Sequence, residues 1–208
     1  LLASEDNRFW WHPGIDAIGT LRALMTNVVG GEVLEGGSSL TQQLARSLYP
    51  DQVGKGDTIE RKWRELLVAL QLESRFSKAE LLLSYLNRVY LGVGFGFEDA
   101  ARAYFNTSAS KLNLEQAALL VGLLPSPNGH DPCRYPQRAL EARNLVLNKM
   151  ADEGRLSLGA AREARRRPIQ LSPKACSLVN AGTAPFYSDQ VCRDLTALVG
   201  PEVAAEGN

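Results

Sequence analysis

Apolar residues recur at intervals of three and four almost from end to end of this chain, and a period of two never persists. That restricts it to a mostly α-helical fold with strands as a minor component. Residues 58–75 are expected as one helix on which Ile59, Trp63, Leu66, Leu67 and Leu70 make one apolar stripe. Ser77-Lys78-Ala79-Glu80 has the S/T-x-x-E form of a capping box and opens a second helix, carrying Leu82, Tyr85, Leu86 and Val89 inward. Asn113 can cap a third, which holds Ala117, Leu120, Val121 and Leu124 until Pro125 stops it. Further helices are expected over residues 136–150 and 157–167, and the glycines between Gly92 and Gly96 describe a bend. After Pro168 the Ser, Pro, Gly and Ala content predicts an extended tail to about Pro185, and helical pattern returns only over residues 186–199.

A length of 208 residues suits one globular domain. The 23 basic residues match 23 acidic ones, so no excess field points to nucleic acid as a partner, and function has to be read from local sites. Cys133, Cys176 and Cys192 follow no metal-ligand spacing, and with only His12 and His130 beside them no metal site is expected. A Cys176 to Cys192 disulfide suits an oxidising compartment, buried inert thiols are the alternative, and the odd count leaves at least one thiol free. No run reaches the roughly 18 to 20 apolar residues of a membrane span. Residues 17–31 carry one charge, Arg22, among apolar residues that go nearly all the way round. A buried core helix and a helix dipping into a membrane surface both fit that pattern. The chain starts at Leu1 and enters a motif within four residues, so it reads as a fragment whose upstream part, a membrane anchor, is missing.

Four blocks place polar residues where an amphipathic helix does not need them. In Ser4-Glu5-Asp6-Asn7-Arg8-Phe9-Trp10-Trp11-His12-Pro13-Gly14, paired carboxylates stand beside large aromatics. A solvated helix start capped by Ser4 is the plain reading; partial desolvation of one carboxylate would suit it to general-base work. In Gly36-Gly37-Ser38-Ser39-Leu40-Thr41-Gln42-Gln43-Leu44-Ala45-Arg46, glycines run into hydroxyls at a helix start, with amides and a cation following. Helix capping by Ser38 or Ser39 explains part of this, and an anion such as pyrophosphate would use the rest. In Glu60-Arg61-Lys62-Trp63-Arg64-Glu65, Glu65 sits over Arg61 and Lys62 on one helix face. A surface ion pair is the ordinary outcome, although the order Arg before Glu is the weaker one for helix stability. The fourth, from Tyr85 to Gly92 and on to Phe105, reads as core packing with Asn87 as its polar exception.

Taken in this order, the blocks resemble the motifs of the peptidoglycan glycosyltransferases, the domain of class A penicillin-binding proteins and monofunctional transglycosylases. E-D-x-x-F-x-x-H-x-G is met by Glu5, Asp6, Phe9, His12 and Gly14; G-G-S-x-x-T-Q-Q by Gly36, Gly37, Ser38, Thr41, Gln42 and Gln43; R-K-x-x-E by Arg61, Lys62 and Glu65. The run from Glu115 to Pro127 resembles the last block of that family, and that from Arg143 to Met150 its following helix. Two positions depart from the pattern: Arg46 stands where the family usually has Lys, and Asp57 where it usually has Arg, with Lys55 two residues earlier.

The resemblance implies a mostly α, lysozyme-like two-lobed domain over residues 1–168 with a small membrane-facing lobe near residues 17–35. Residues 169–208 would form a linker towards a transpeptidase domain of the full-length parent. It implies polymerisation of lipid II, with Glu5 and Glu65 as catalytic carboxylates and Asp6, Ser38, Gln42, Gln43, Arg46, Arg61, Lys62 and Asn87 binding substrate. Partners would be lipid II, the growing lipid-linked glycan and the bacterial cytoplasmic membrane, on whose outer, periplasmic face the domain would work. No cofactor is required, while a divalent cation, Mg or Mn, could sit at Glu65. Two rivals share the helical cleft. A lysozyme-like muramidase would have no use for the basic residues of the second and third blocks. A degenerate domain that binds precursor without turnover is opposed by the intact Glu5 and Glu65 and left open by Asp57.

Overall fold

The structure is a computed structural model that describes residues 1–20, 37–54, 56 and 58–180. The rest of the expected membrane-surface segment, Gly36, Lys55, Asp57 and Cys192 lie outside the described residues. Among the described residues the only β pairing is an isolated antiparallel bridge between Tyr90 and Phe95, at the expected Gly92–Gly96 bend. The helices are α1 (Leu2–Glu5), α2 (Leu40–Leu48), α3 (Pro50–Val53), α4 (Ile59–Arg75), α5 (Lys78–Arg88), α6 (Phe97–Phe105), α7 (Leu114–Leu123), α8 (Pro136–Asp152), α9 (Leu158–Arg166) and α10 (Ala175–Asn180).

Local signals set the helix starts. Ser39, Ser77 and Asn113 each close a capping box, accepting from the backbone N–H three residues on while Gln42, Glu80 and Gln116 reach back. Thr58 caps α4 by accepting from the Arg61 N–H.

The described residues form two compact units, one within Leu1–Val89 and Asn144–Arg166, the other within Tyr90–Arg143 and residues 167–180. In the first, α2 packs on α4 and α5 around a core of Phe9, Leu40, Leu44, Ala45, Ala69, Leu72, Leu81 and Tyr85. The α4 stripe does not join it. Ile59 is 79% exposed, Trp63 62% and Leu67 56%, whereas Arg61, Glu65, Ala69 and Leu72 are the buried residues of α4. An apolar stripe ordinarily faces a core, but here the opposite, charged face turns inward because it carries an ion cluster.

In the second unit α7 lies so close to α8 that a Cβ on Gly122 would stand 2.8 Å from the Ala142 carbonyl carbon. The stretch expected as an extended tail is fastened there: the Ser172 N–H donates to the Tyr104 carbonyl at 2.7 Å, and α10 packs on α6. Cys176 is bonded to Cys133, with 5.3 Å between their Cα atoms, which corrects both the Cys176–Cys192 pairing and inert thiols at these two positions. Disulfide partners are chosen by proximity in space, and the turn of residues 131–135 meets α10.

Candidate active site

The first block is an anchor as well as a site. Asp6 is 5% exposed, and its two oxygens accept from His12 Nε2 at 2.8 Å and from the Leu40 backbone N–H at 2.9 Å. It thus satisfies a donor at the open N-terminus of α2, where negative charge is favoured. Phe9 enters the core with Lys78 Nζ 4.4 Å from its ring centroid. Gly14 turns with φ of +88°, and its carbonyl accepts from the Ser39 hydroxyl. A Cβ there would sit 3.0 Å from the Glu73 side chain, so both conformation and space call for glycine.

Glu5, half-buried at the end of α1, is held lightly. Gln43 Nε2 donates to its Oε2 at 3.3 Å and the Ser4 hydroxyl to its Oε1 at 3.3 Å. Behind Gln43, the Tyr85 hydroxyl donates to Gln43 Oε1 at 2.9 Å. Burial pushes the Tyr85 hydroxyl well above the ordinary phenol range, the Glu5 charge adds to the rise, and Arg46 opposes it.

Glu65 has the opposite surroundings. It is fully buried, and its oxygens accept from Arg61 Nη1 at 2.9 Å and Lys62 Nζ at 2.8 Å, with Arg46 Nη1 at 3.9 Å. Lys62 Nζ also donates to the Ser38 hydroxyl at 2.7 Å. Three cations around one carboxylate leave a surplus of positive charge beside Ser38, which suits a polyanionic group. Gln43 and Arg46 are three residues apart on α2, about 4.5 Å along its axis, so Glu5 and Glu65 are each met by a side chain from neighbouring turns of one helix.

Two of the expected ligands also make internal hydrogen bonds. Asp6 is the α2 anchor described above, and Gln42, 8% exposed, uses its Oε1 to accept from the Ser39 N–H. Asn87 is exposed on α5 and is no polar exception within the core. The buried tyrosine two residues before it, Tyr85, is the residue of that block that reaches the site; sequence gave it only an inward position. A divalent cation at Glu65 does not fit the donors present, because both oxygens already face cationic groups and Mg or Mn needs several oxygen ligands. Among the described residues no group of three or more His, Cys, Asp or Glu could hold a metal ion.

The half-buried Glu5 and the cation-ringed Glu65 thus stand on one helical scaffold. The transglycosylase family profile matches residues 1–151, and the chain belongs to that family. It is a glycosyltransferase domain of the kind its four blocks resemble. Penicillin-binding protein 1A of Aquifex aeolicus is 41% identical over 169 residues, which cover 81% of this chain and 23% of that protein. A protein of Cupriavidus necator named as a transglycosylase is 38% identical over 172 residues, covering 82% of this chain and 73% of that protein. A crystal structure of penicillin-binding protein 1A from Haemophilus influenzae aligns with 78% of this chain at 24% identity and a TM-score of 0.41. The chain thus spans less than a quarter of the penicillin-binding proteins matched first.

Proposed function

We propose that this domain polymerises lipid II into β-1,4-linked glycan strands for the bacterial cell wall, releasing undecaprenyl pyrophosphate. The observation that carries this reading is the contrast between a lightly held Glu5 and a Glu65 encased by Arg46, Arg61 and Lys62. Glu5 is the general base: it takes the proton from the acceptor sugar hydroxyl as that oxygen attacks the anomeric carbon of the lipid-linked chain. Attack from the opposite face inverts an α-linked pyrophosphate donor into a β-glycoside. The leaving group is already an anion, so it needs fixed positive charge more than a proton. Lys62, Arg61 and Arg46 supply that charge, Ser38 lies on the path of the Lys62 ammonium, and Glu65 holds the three cations in register. Asn87, exposed on α5, remains a substrate contact in this reading.

The wider context is part of the same proposal. The domain works at the outer face of the cytoplasmic membrane, as part of a longer protein with an anchor and a transpeptidase domain. Among the described residues no helix is long and apolar enough to cross a membrane. The apolar composition of residues 17–31 and the exposed Ile59, Trp63 and Leu67 support contact with a bilayer surface. Replacing Trp63 and Leu67 with Asp should lower binding to anionic vesicles and leave the melting temperature unchanged; a collapse in melting temperature would mean the stripe serves folding. Incubation with lipid II tests the reaction itself, because glycan polymer, cut glycan and unchanged bound substrate separate the transferase from a muramidase and from a binding domain.

A further inference from the structure

Glu5 meets few partners, and one of them can point two ways. A side-chain amide carries a donor at one end and an acceptor at the other, so Gln43 could turn either its NH2 or its oxygen towards the carboxylate. What selects the NH2 is on the page: the Tyr85 hydroxyl, 3% exposed on α5, donates to Gln43 Oε1 at 2.9 Å and leaves Nε2 to face Glu5 Oε2 at 3.3 Å. We propose that Tyr85 is a positioning residue for Glu5, acting through the side-chain amide of Gln43. The inference rests on Glu5 being the general base.

The arrangement favours the ionised form of the base. While Glu5 is an anion, it accepts from Gln43 Nε2, and the oxygen that would repel it is turned away and held by Tyr85. A flipped amide would have to offer Nε2 to the Tyr85 oxygen, and a phenol, whose lone pair is shared with its ring, accepts less well than it donates. Burial and the neighbouring Glu5 charge keep the phenol protonated, so it remains the donor that holds Oε1. Phenylalanine would remove that donor: the amide would lose its orienting partner and present its oxygen to the anion for part of the time.

The test is the pH–rate profile of lipid II polymerisation by Tyr85→Phe beside that of the parent. Removing the fixed amide donor disfavours the ionised form of Glu5. The acid limb should therefore move up by about half to one pH unit, the worth of one ordinary hydrogen bond, with activity recovering above it. In a Gln43→Met background, Tyr85→Phe should add no further shift, since the hydroxyl would have nothing to orient. An unmoved limb in a Tyr85→Phe protein that melts like the parent overturns the inference, and so does a shift that adds fully to that of Gln43→Met. If Tyr85→Phe does not fold, Gln43→Met alone carries the test, and an unshifted limb there is equally fatal. Glu5→Gln run in parallel separates the two levels: near-parental turnover removes the base assignment itself, whereas a dead Glu5→Gln with an unmoved Tyr85→Phe limb removes only the role of Tyr85.

Discussion

Glu5 and Glu65 meet side chains from neighbouring turns of α2 and live in opposite surroundings. Glu5 is half-buried and has two neutral donors, each at 3.3 Å. Glu65 is fully buried under three cations, two of them within 3 Å. A carboxylate that must accept and release a proton in each cycle cannot be tied to fixed positive charge, which would hold it ionised. A carboxylate whose task is to hold cations in place benefits from that constraint, since a desolvated ion pair is stable only when every partner is present. In the proposed reaction, exchange therefore falls to Glu5 and architecture to Glu65.

Replacing each carboxylate by its amide tests that division most directly. Glu5→Gln should lower polymerisation by about a hundredfold to ten-thousandfold, the usual worth of general-base catalysis, with an unchanged melting temperature. Turnover within a few-fold of the parent would take Glu5 out of that role. Glu65→Gln should instead act on the fold: leaving the buried Arg61 without its counter-charge costs on the order of 3 kcal/mol, seen as a lower denaturant midpoint. Residual activity is expected, because positioning is partly redundant. If both variants lose activity at unchanged stability, the two carboxylates share one role and the comparison fails.

How much of this could be read from residues alone differs across the site. The helix starts at Ser39, Ser77 and Asn113 were readable because a cap is a local event within four residues. The pairing of Arg61 and Lys62 with Glu65 followed from helical spacing, but its burial did not, because burial is decided by α2 packing over that face. The same packing explains the exposed Ile59, Trp63 and Leu67, for a helix has only one inner face and here the ion cluster takes it. The internal partners of Asp6 and Gln42 were not readable, because a polar residue in a motif does not show whether it meets a backbone N–H. The Cys133 bond to Cys176 spans a separation of 43 residues and depends on tertiary proximity that spacing does not encode.

Lys62 sharpens the comparison from the side of the cations, since its ammonium bridges Glu65 and the Ser38 hydroxyl. Lys62→Met should weaken use of lipid II by roughly tenfold to a hundredfold, the range for a charge-assisted hydrogen bond, as a raised KM at low salt. The pH profile should keep the parental acid limb, since the Lys62 ammonium is tied to Glu65 and Ser38 rather than to Glu5. A moved limb would mean that the two carboxylates are electrostatically joined, and that the light hold on Glu5 is not the whole of its environment.

The smallest effect belongs to a third carboxylate, which shows what an ion pair does without either task. Asp16 accepts from Arg8 Nη2 at 2.7 Å and from the Gly19 N–H at 2.9 Å, near the same block as Glu5, and both side chains of the pair are partly exposed. Burial alone would raise its carboxyl, but the Arg8 hydrogen bond, the Gly19 N–H and the Arg8 and His12 charges outweigh it and hold the group below its ordinary 3.8. Because the folded chain binds that proton less readily than the unfolded one, the pair's contribution is fully present above about pH 4. It is lost as the pH falls through the lowered value. A partly exposed pair of this kind contributes about 1 kcal/mol or less. Asp16→Asn should therefore lower stability slightly at pH 7 and by less near pH 2, with polymerisation unaffected. Denaturant titrations of parent and variant at the two pH values read this directly: curves that converge in acid place Asp16 with Glu65 as a held charge. A variant that lost turnover at full stability would instead place it with Glu5, and exchange would no longer be the mark of a single lightly held carboxylate.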